Sequence, residues 1–157
     1  MTDSIIETNH WIALSQLLLN SFERFLDRPL VSRNGHAHEQ AERLFQSPSV
    51  VVAHGTQDDP ILCFANQAAL ALWETDLSRM LSMPSRETAE PMERSERAKM
   101  LERGRTHGYI DDYQGIRITT TGKRFHIRNA IIWNLIDETE TQHGQAATFS
   151  DWEFIAS

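Results

Sequence analysis

The stretch Pro60-Ile-Leu-Cys-Phe-Ala-Asn-Gln-Ala-Ala-Leu-Ala-Leu-Trp73 decides the fold of this chain. A short apolar run, Ile61 to Ala65, meets Asn66, and a strand period then gives way to a helical one. That pattern is a strand feeding straight into a helix, with Asn66 placed to cap the first exposed backbone N–H groups. Just upstream, Val50-Val-Val-Ala-His54 reads as a strand from its β-branched run. The turn signal Gly55-Thr-Gln-Asp-Asp-Pro60 makes Ile61–Ala65 its hairpin partner.

Before this hairpin, Trp11, Leu14, Leu18, Phe22 and Phe25 recur at three- and four-residue steps. They form one apolar stripe on a helix that Thr8 or Asn9 can cap and that runs to about Asp27. A second, shorter helix is expected from His38 to Phe45. After the hairpin, Gln67–Trp73 is a short helix, Asp76 caps another through Leu81, and Met83-Pro84-Ser85 breaks the pattern. Pro91 suits the first position of a further helix, rich in Arg and Glu, that carries Met100 and Leu101 and ends at Gly104 or Gly108. The last third is strand: Tyr109–Thr119, Lys123–Ile136 and Gln145–Phe149. The fold class that follows is α+β. A five-stranded antiparallel sheet carries helices on one face and an N-terminal helical extension, with residues 1–48 as the extension and 49–157 as the main domain.

Reading Thr121-Gly122 as a two-residue turn pairs Thr120 with Lys123 and sets the register of the long hairpin. One face then holds Ile110, Asp112, Gln114, Ile116, Ile118, Phe125, Ile127, Asn129, Ile131 and Trp133, and is expected to be the core. The other holds Asp111, Tyr113, Gly115, Arg117, His126, Arg128, Ala130 and Ile132. The core face is interrupted at its centre by Asp112, Gln114 and Asn129, which Gln145 on the last strand could join. Buried polar groups need partners. They are read as fixing a small ligand, as bonded to neighbouring backbone or buried water, or as lying near the open end of the sheet. The mixed outer face needs a cover. The Trp11–Leu18–Phe22 helix is the expected one, from its own chain or exchanged with a second subunit, which points to a homodimer.

Composition bounds the rest. The 157 residues suffice for one domain with a core, and 40% are hydrophobic. A net charge of −7 argues against a nucleic-acid partner. The single cysteine, Cys63, excludes an intramolecular disulfide framework and fits a reducing compartment. No apolar run approaches the ~18 residues needed to span a bilayer. The first residues lack the basic start and cleavage site of a signal peptide. A cytoplasmic protein without membrane association is expected.

Several blocks together resemble the MEKHLA domain family. They are Ala53-His-Gly-Thr56, Asp59-Pro-Ile-Leu62, Phe64-Ala-Asn-Gln-Ala-Ala-Leu70, Leu72-Trp-Glu74, Pro84-Ser-Arg86 and Thr88-Ala-Glu-Pro91. Gly108-Tyr-Ile-Asp-Asp-Tyr113, Gly115-Ile-Arg117, Trp133-Asn-Leu135 and Gly144-Gln-Ala-Ala-Thr-Phe149 continue the resemblance, which runs from about Trp11 to Trp152. It implies a PAS-like fold and a sensory or regulatory role. MEKHLA domains also end plant class III homeodomain–leucine zipper regulators, whereas this chain looks like the stand-alone bacterial type.

Flavin photoreceptors of the PAS class use a cysteine within an Asn-Cys-Arg-Phe-type segment. The corresponding Leu81-Ser-Met-Pro-Ser-Arg86 has none, and Cys63 reads as a small apolar filler. Haem is disfavoured too, because His107, at the end of the long helix, is accounted for by the helix dipole. His36 and His38 lack the further ligands a metal site needs. Ser85 with Arg86, Glu87 and Glu90 is the only cluster resembling a hydrolytic site, and helix capping explains it better, so no catalytic activity is expected.

The expectation is thus a PAS-like module binding a small molecule between sheet and helices. Asp112, Gln114, Asn129 and Gln145 would supply polar contacts, Trp73 and Trp133 aromatic walls, Ser85 a place at the pocket and Arg86 an anion clamp. A ligand-free interaction or dimerisation module is the alternative, with a small-molecule enzyme as a third. A pocket above ~300 Å³ holding these groups would favour a ligand, and a closed interior the interaction module.

Overall fold

A computed structural model describes residues 8–88, 99, 102 and 108–155. The helix expected from Pro91, with Met100, Leu101 and Gly104, falls outside these residues, as does His107.

Helix α1 (Asn9–Leu26) starts at Thr8, whose hydroxyl accepts from Trp11 N–H, and ends at Asp27 in a left-handed conformation. Helix α2 (Ala37–Gln46) follows, its first turn closed by the Glu39 carboxylate accepting from His36 N–H. Strands β1 (Val50–His54) and β2 (Leu62–Ala65) form the first hairpin. Helices α3 (Gln67–Trp73) and α4 (Leu77–Met80) and a 3-10 turn (Ser85–Thr88) come next. Strands β3 (Tyr109–Ile118), β4 (Arg124–Ile136), β5 (Gln142–Phe149) and β6 (Asp151–Phe154) complete the antiparallel sheet. The order across the sheet is β2-β1-β5-β4-β3, and β6 continues the line of β5 along β4. The α+β architecture matches the sequence reading, with β6 as a sixth strand that the reading did not include.

Asn66 does more than cap. Its Oδ1 accepts from Ala69 N–H at the start of α3 and from Val51 N–H in β1, and its Nδ2 donates to the Ser49 carbonyl at 2.8 Å. One fully buried side chain thereby ties the entrance of β1 to the strand–helix junction.

Helix α1 crosses the outer face of its own chain's sheet. Trp11 stacks on Phe64 of β2 with ring centroids 4.5 Å apart, and Phe22 meets Trp133 of β4 edge to face at 5.0 Å. The Trp133 indole N–H donates to the Leu18 carbonyl, and the Ser21 hydroxyl binds the backbone N–H of Ile136. The apolar stripe read from the sequence is therefore the stripe that packs.

The long hairpin departs from the expected register. Ile118 pairs with Arg124 and Thr119 N–H donates to Lys123 O, so the connection is the three-residue loop Thr120-Thr121-Gly122, with Gly122 at φ 90°. Helix α3 favours this longer loop: Thr120 N–H and Oγ1 both donate to the Trp73 carbonyl, and Lys123 pairs with Glu74. Further along, Ile110 pairs with Ile132, Tyr113 with Ala130 and Gly115 with Ile127. This spacing leaves one extra residue on β3 between Ile110 and Tyr113, then one on β4 between Ile127 and Ala130. Each bulge reverses the alternation. The three-residue loop turns Arg117, Gly115 and Tyr113 to the inner layer, the β4 bulge brings Ala130 and Ile132 there in place of Asn129, and Asp112, Gln114 and Asn129 are exposed.

Candidate functional site

The inner face is covered by α3, α4 and the 3-10 turn, which leave a partly open cavity of about 50 Å³ against it. On the sheet side it is lined by Val52 and His54 of β1, Gln145, Ala147 and Phe149 of β5, Ile127, Ala130 and Ile132 of β4, and Tyr113 and Arg117 of β3. Trp73, Met80, Ser85 and Thr88 close it from the helical side.

Three of the residues expected at the site are brought together here: Trp73, Ser85 and Gln145. Trp73 sits at the end of α3 with its ring against Phe125 and Phe149. Its indole N–H is sealed from solvent and has no acceptor among the described residues. Gln145 donates to Asn134 Oδ1 at 2.9 Å, a buried pair across β4 and β5. Ser85 is buried, its N–H donating to the Pro60 carbonyl and its own carbonyl accepting from the Thr88 hydroxyl.

The other five stand elsewhere. Trp133 is fully buried on the opposite face, beneath α1, because the pleat turns neighbours Ile132 and Trp133 to opposite sides. Arg86 is exposed and its Nε lies 3.1 Å from both carboxylate oxygens of Asp59, so an ion pair occupies the guanidinium expected to clamp an anion. Asp112 and Gln114 are exposed, Gln114 because the three-residue loop shifts β3 by one residue against β4. Asn129 is the left-handed residue of the β4 bulge, at φ 56°, and its amide donates to Asp151. Ser85 is buried while Arg86 and Glu87 are exposed, so that cluster does not converge, and Glu90 lies outside the described residues. His36 caps α2 and His38 lies 3.5 Å from Glu42 at the surface. Burial pushes the Cys63 thiol up to about 11, in keeping with an apolar filler.

In place of the expected polar break the cavity holds Arg117. The residue is 6% exposed. Its Nη2 donates to the Tyr113 hydroxyl, its Nη1 donates to the Ile116 carbonyl at 3.0 Å, and its guanidinium lies 5.1 Å from the Tyr113 ring centroid. No Asp or Glu lines the cavity among the described residues. Gly115, between these two side chains on the same strand face, was the available signal, since a glycine inside a strand marks a bulge or a close approach. His54 also lines the cavity, with Nδ1 2.9 Å from the Gly55 carbonyl oxygen.

The family model for the MEKHLA domain matches residues 12–154. Among curated proteins, the chain is similar to the homeobox-leucine zipper protein ATHB-9 of Arabidopsis thaliana, 30% identical over 64% of this chain and 12% of the relative. It is also similar to homeobox-leucine zipper protein HOX10 of Oryza sativa subsp. indica, 24% identical over 90% of this chain and 17% of the relative. The chain thus spans under a fifth of the length of these relatives. Among solved structures, the PAS domain of a protein from Colwellia psychrerythraea superposes with a TM-score of 0.64 at 11% identity, over 72% of this chain and 93% of that one. A light-oxygen-voltage domain studied with a flavin analogue superposes with a TM-score of 0.59 at 16% identity, over 75% and 85% of the two chains. At these identities the likeness is one of fold. Among the described residues, no helix is long and apolar enough to cross a membrane.

Proposed function

The chain belongs to the MEKHLA domain family, and we propose that it is a PAS-like sensory or regulatory module holding a small molecule in the cavity between its sheet and helices. The observation that carries this reading is the buried polar lining of a cavity that is otherwise apolar: Arg117, Tyr113, Gln145, Ser85 and Thr88 converge on one space. A buried guanidinium costs free energy unless an anion or further hydrogen bonds complete it, which favours a ligand at this lining.

The same geometry provides an output. Ile132 lines the cavity and Trp133, the next residue, supports α1 on the other face. Any ligand that shifts β4 therefore bears directly on the seat of α1, a packed contact that can populate two arrangements. Small-molecule libraries screened by amide NMR test this. Saturable shifts at Ala130, Ile132, Ala147 and Gln145, spreading to α1, are expected. If no compound moves those amides, and a crystal structure of protein from its own host shows only water in the cavity, the reading fails.

The ligand-free interaction module is the second reading. It is favoured by the cavity volume of about 50 Å³, well below the several hundred typical of drug-sized ligands. Pairing through α1 remains our proposal for a homodimer. Because α1 already covers its own sheet, such a dimer would use exchanged helices or the outward side of α1. Sedimentation showing a monomer at micromolar concentration would exclude it.

A further inference from the structure

We propose that the cavity takes a small monocarboxylate, anchored by Arg117; this deepens the ligand-binding reading above and depends on it. A guanidinium does not lose its proton in a protein, so Arg117 is a cation whatever surrounds it. It is buried, yet among the described residues none of its hydrogen-bond partners carries a negative charge: they are a phenol oxygen and a backbone carbonyl. Two N–H donors are thus accounted for out of the five that the group carries. Such a group is stable when an anion completes it, and the planar fork matches a carboxylate.

Three further features narrow the class. The Tyr113 hydroxyl accepts from Arg117, which leaves its own proton to donate to a ligand oxygen. Across the cavity, on its helical side, Trp73 adds a buried indole N–H that also lacks an acceptor among the described residues. Beside Tyr113 and Arg117 on the sheet, the lining is Ile127, Ala130 and Ile132, which suits an alkyl group. Size sets the limit. A dry cavity of about 150 Å³ holds benzene, so one of about 50 Å³ holds an acetate-sized molecule. The single cation selects one negative charge over two, and the apolar wall selects a carboxylate with a methyl or ethyl group over an inorganic anion.

The test is titration of the full chain, followed by amide NMR, with sodium acetate and sodium propionate. Acetamide serves as the neutral isostere, and sodium chloride and phosphate at matched ionic strength as inorganic anions. We expect saturable shifts at Ala130, Ile132 and Gln145 with acetate, and binding at least about tenfold weaker for acetamide. Arg117→Met should abolish the acetate response, and Tyr113→Phe should weaken it several-fold while the spectrum stays native. If Arg117→Met does not fold, Arg117→Lys keeps the charge but not the fork and should bind acetate with reduced affinity. Acetamide binding as well as acetate, or an Arg117→Met or Arg117→Lys protein binding acetate as the parent does, would overturn the carboxylate assignment while leaving a ligand-binding cavity. Chloride or phosphate competing at the same amides with equal affinity would replace it with a general anion site. No saturable shift with either carboxylate overturns it outright, and the library screen then decides independently whether the cavity binds anything.

Discussion

The Tyr113 hydroxyl accepts a hydrogen bond from Arg117 four residues along the same strand, reaching it across Gly115. A Cβ at Gly115 would lie 2.5 Å from that hydroxyl oxygen and 3.0 Å from Cζ of the ring. Gly115→Ala should therefore push the Tyr113 ring away from Arg117 and destabilise the fold by about 1–3 kcal/mol. Urea unfolding measures the cost, and the Tyr113 ring resonances report the displacement. An unchanged midpoint with unchanged resonances would contradict the close approach.

Asn66→Ala removes the α3 cap together with the buried bonds to Val51 N–H and the Ser49 carbonyl. The expected loss is about 3 kcal/mol, more than a surface cap supplies, because two buried backbone groups are left without partners. Equilibrium denaturation with amide exchange at Val51 is the check. A loss under about 1 kcal/mol would mean capping alone matters.

At Asn129 the backbone is left-handed, at φ 56°. Asn129→Gly should be close to neutral, whereas Asn129→Val should cost about 1–2 kcal/mol, because a β-branched residue resists that conformation. Substituting exposed Asp112 or Gln114 with Ala should change stability by no more than about 0.5 kcal/mol. Thermal unfolding of the four variants tests the bulged register directly. A large loss at Gln114 would restore the two-residue turn.

Trp133→Ala removes the platform for α1, including the bond from its indole to the Leu18 carbonyl. A cost of about 3–5 kcal/mol is expected. Increased proteolysis within Asn9–Leu26 should accompany it and would distinguish release of the helix from general loosening.

Burial pushes the Cys63 thiol from its ordinary 9.0 to about 11. The folded chain then keeps this proton when the unfolded chain has released it. Stability due to Cys63 is thus fully present below pH 9 and is lost as pH rises from about 9 to about 11. Cys63→Ala should flatten that part of the stability–pH curve. At pH 8 alkylation by iodoacetamide should be about a hundredfold slower in the folded than in the unfolded chain, in proportion to the thiolate fraction.

Much of the fold was legible from local pattern. The limits of α3 are those expected for Gln67–Trp73, β1 is Val50–His54 as expected, and the Trp11–Phe22 stripe packs where an amphipathic helix must. The site was harder. Trp73, Ser85 and Gln145, expected beside the space between sheet and helices, do line the cavity. Arg117 and Tyr113 were assigned to the wrong face, because a slip of one residue exchanges the two faces of a strand. β6 was missed because four residues, Asp151 to Phe154, are too few to show a period.

The sequence by itself determined the element order, the helix caps and the family, since these depend on propensities and periods among residues close in the chain. Only the tertiary structure decided which face of β3 is inside. That choice depends on where the hairpin loop docks on Trp73 and Glu74 and on two compensating bulges. Both are contacts between residues far apart in sequence, which set the balance between two registers that local pattern leaves nearly equal. The cation in the cavity lining, Arg117, is the consequence.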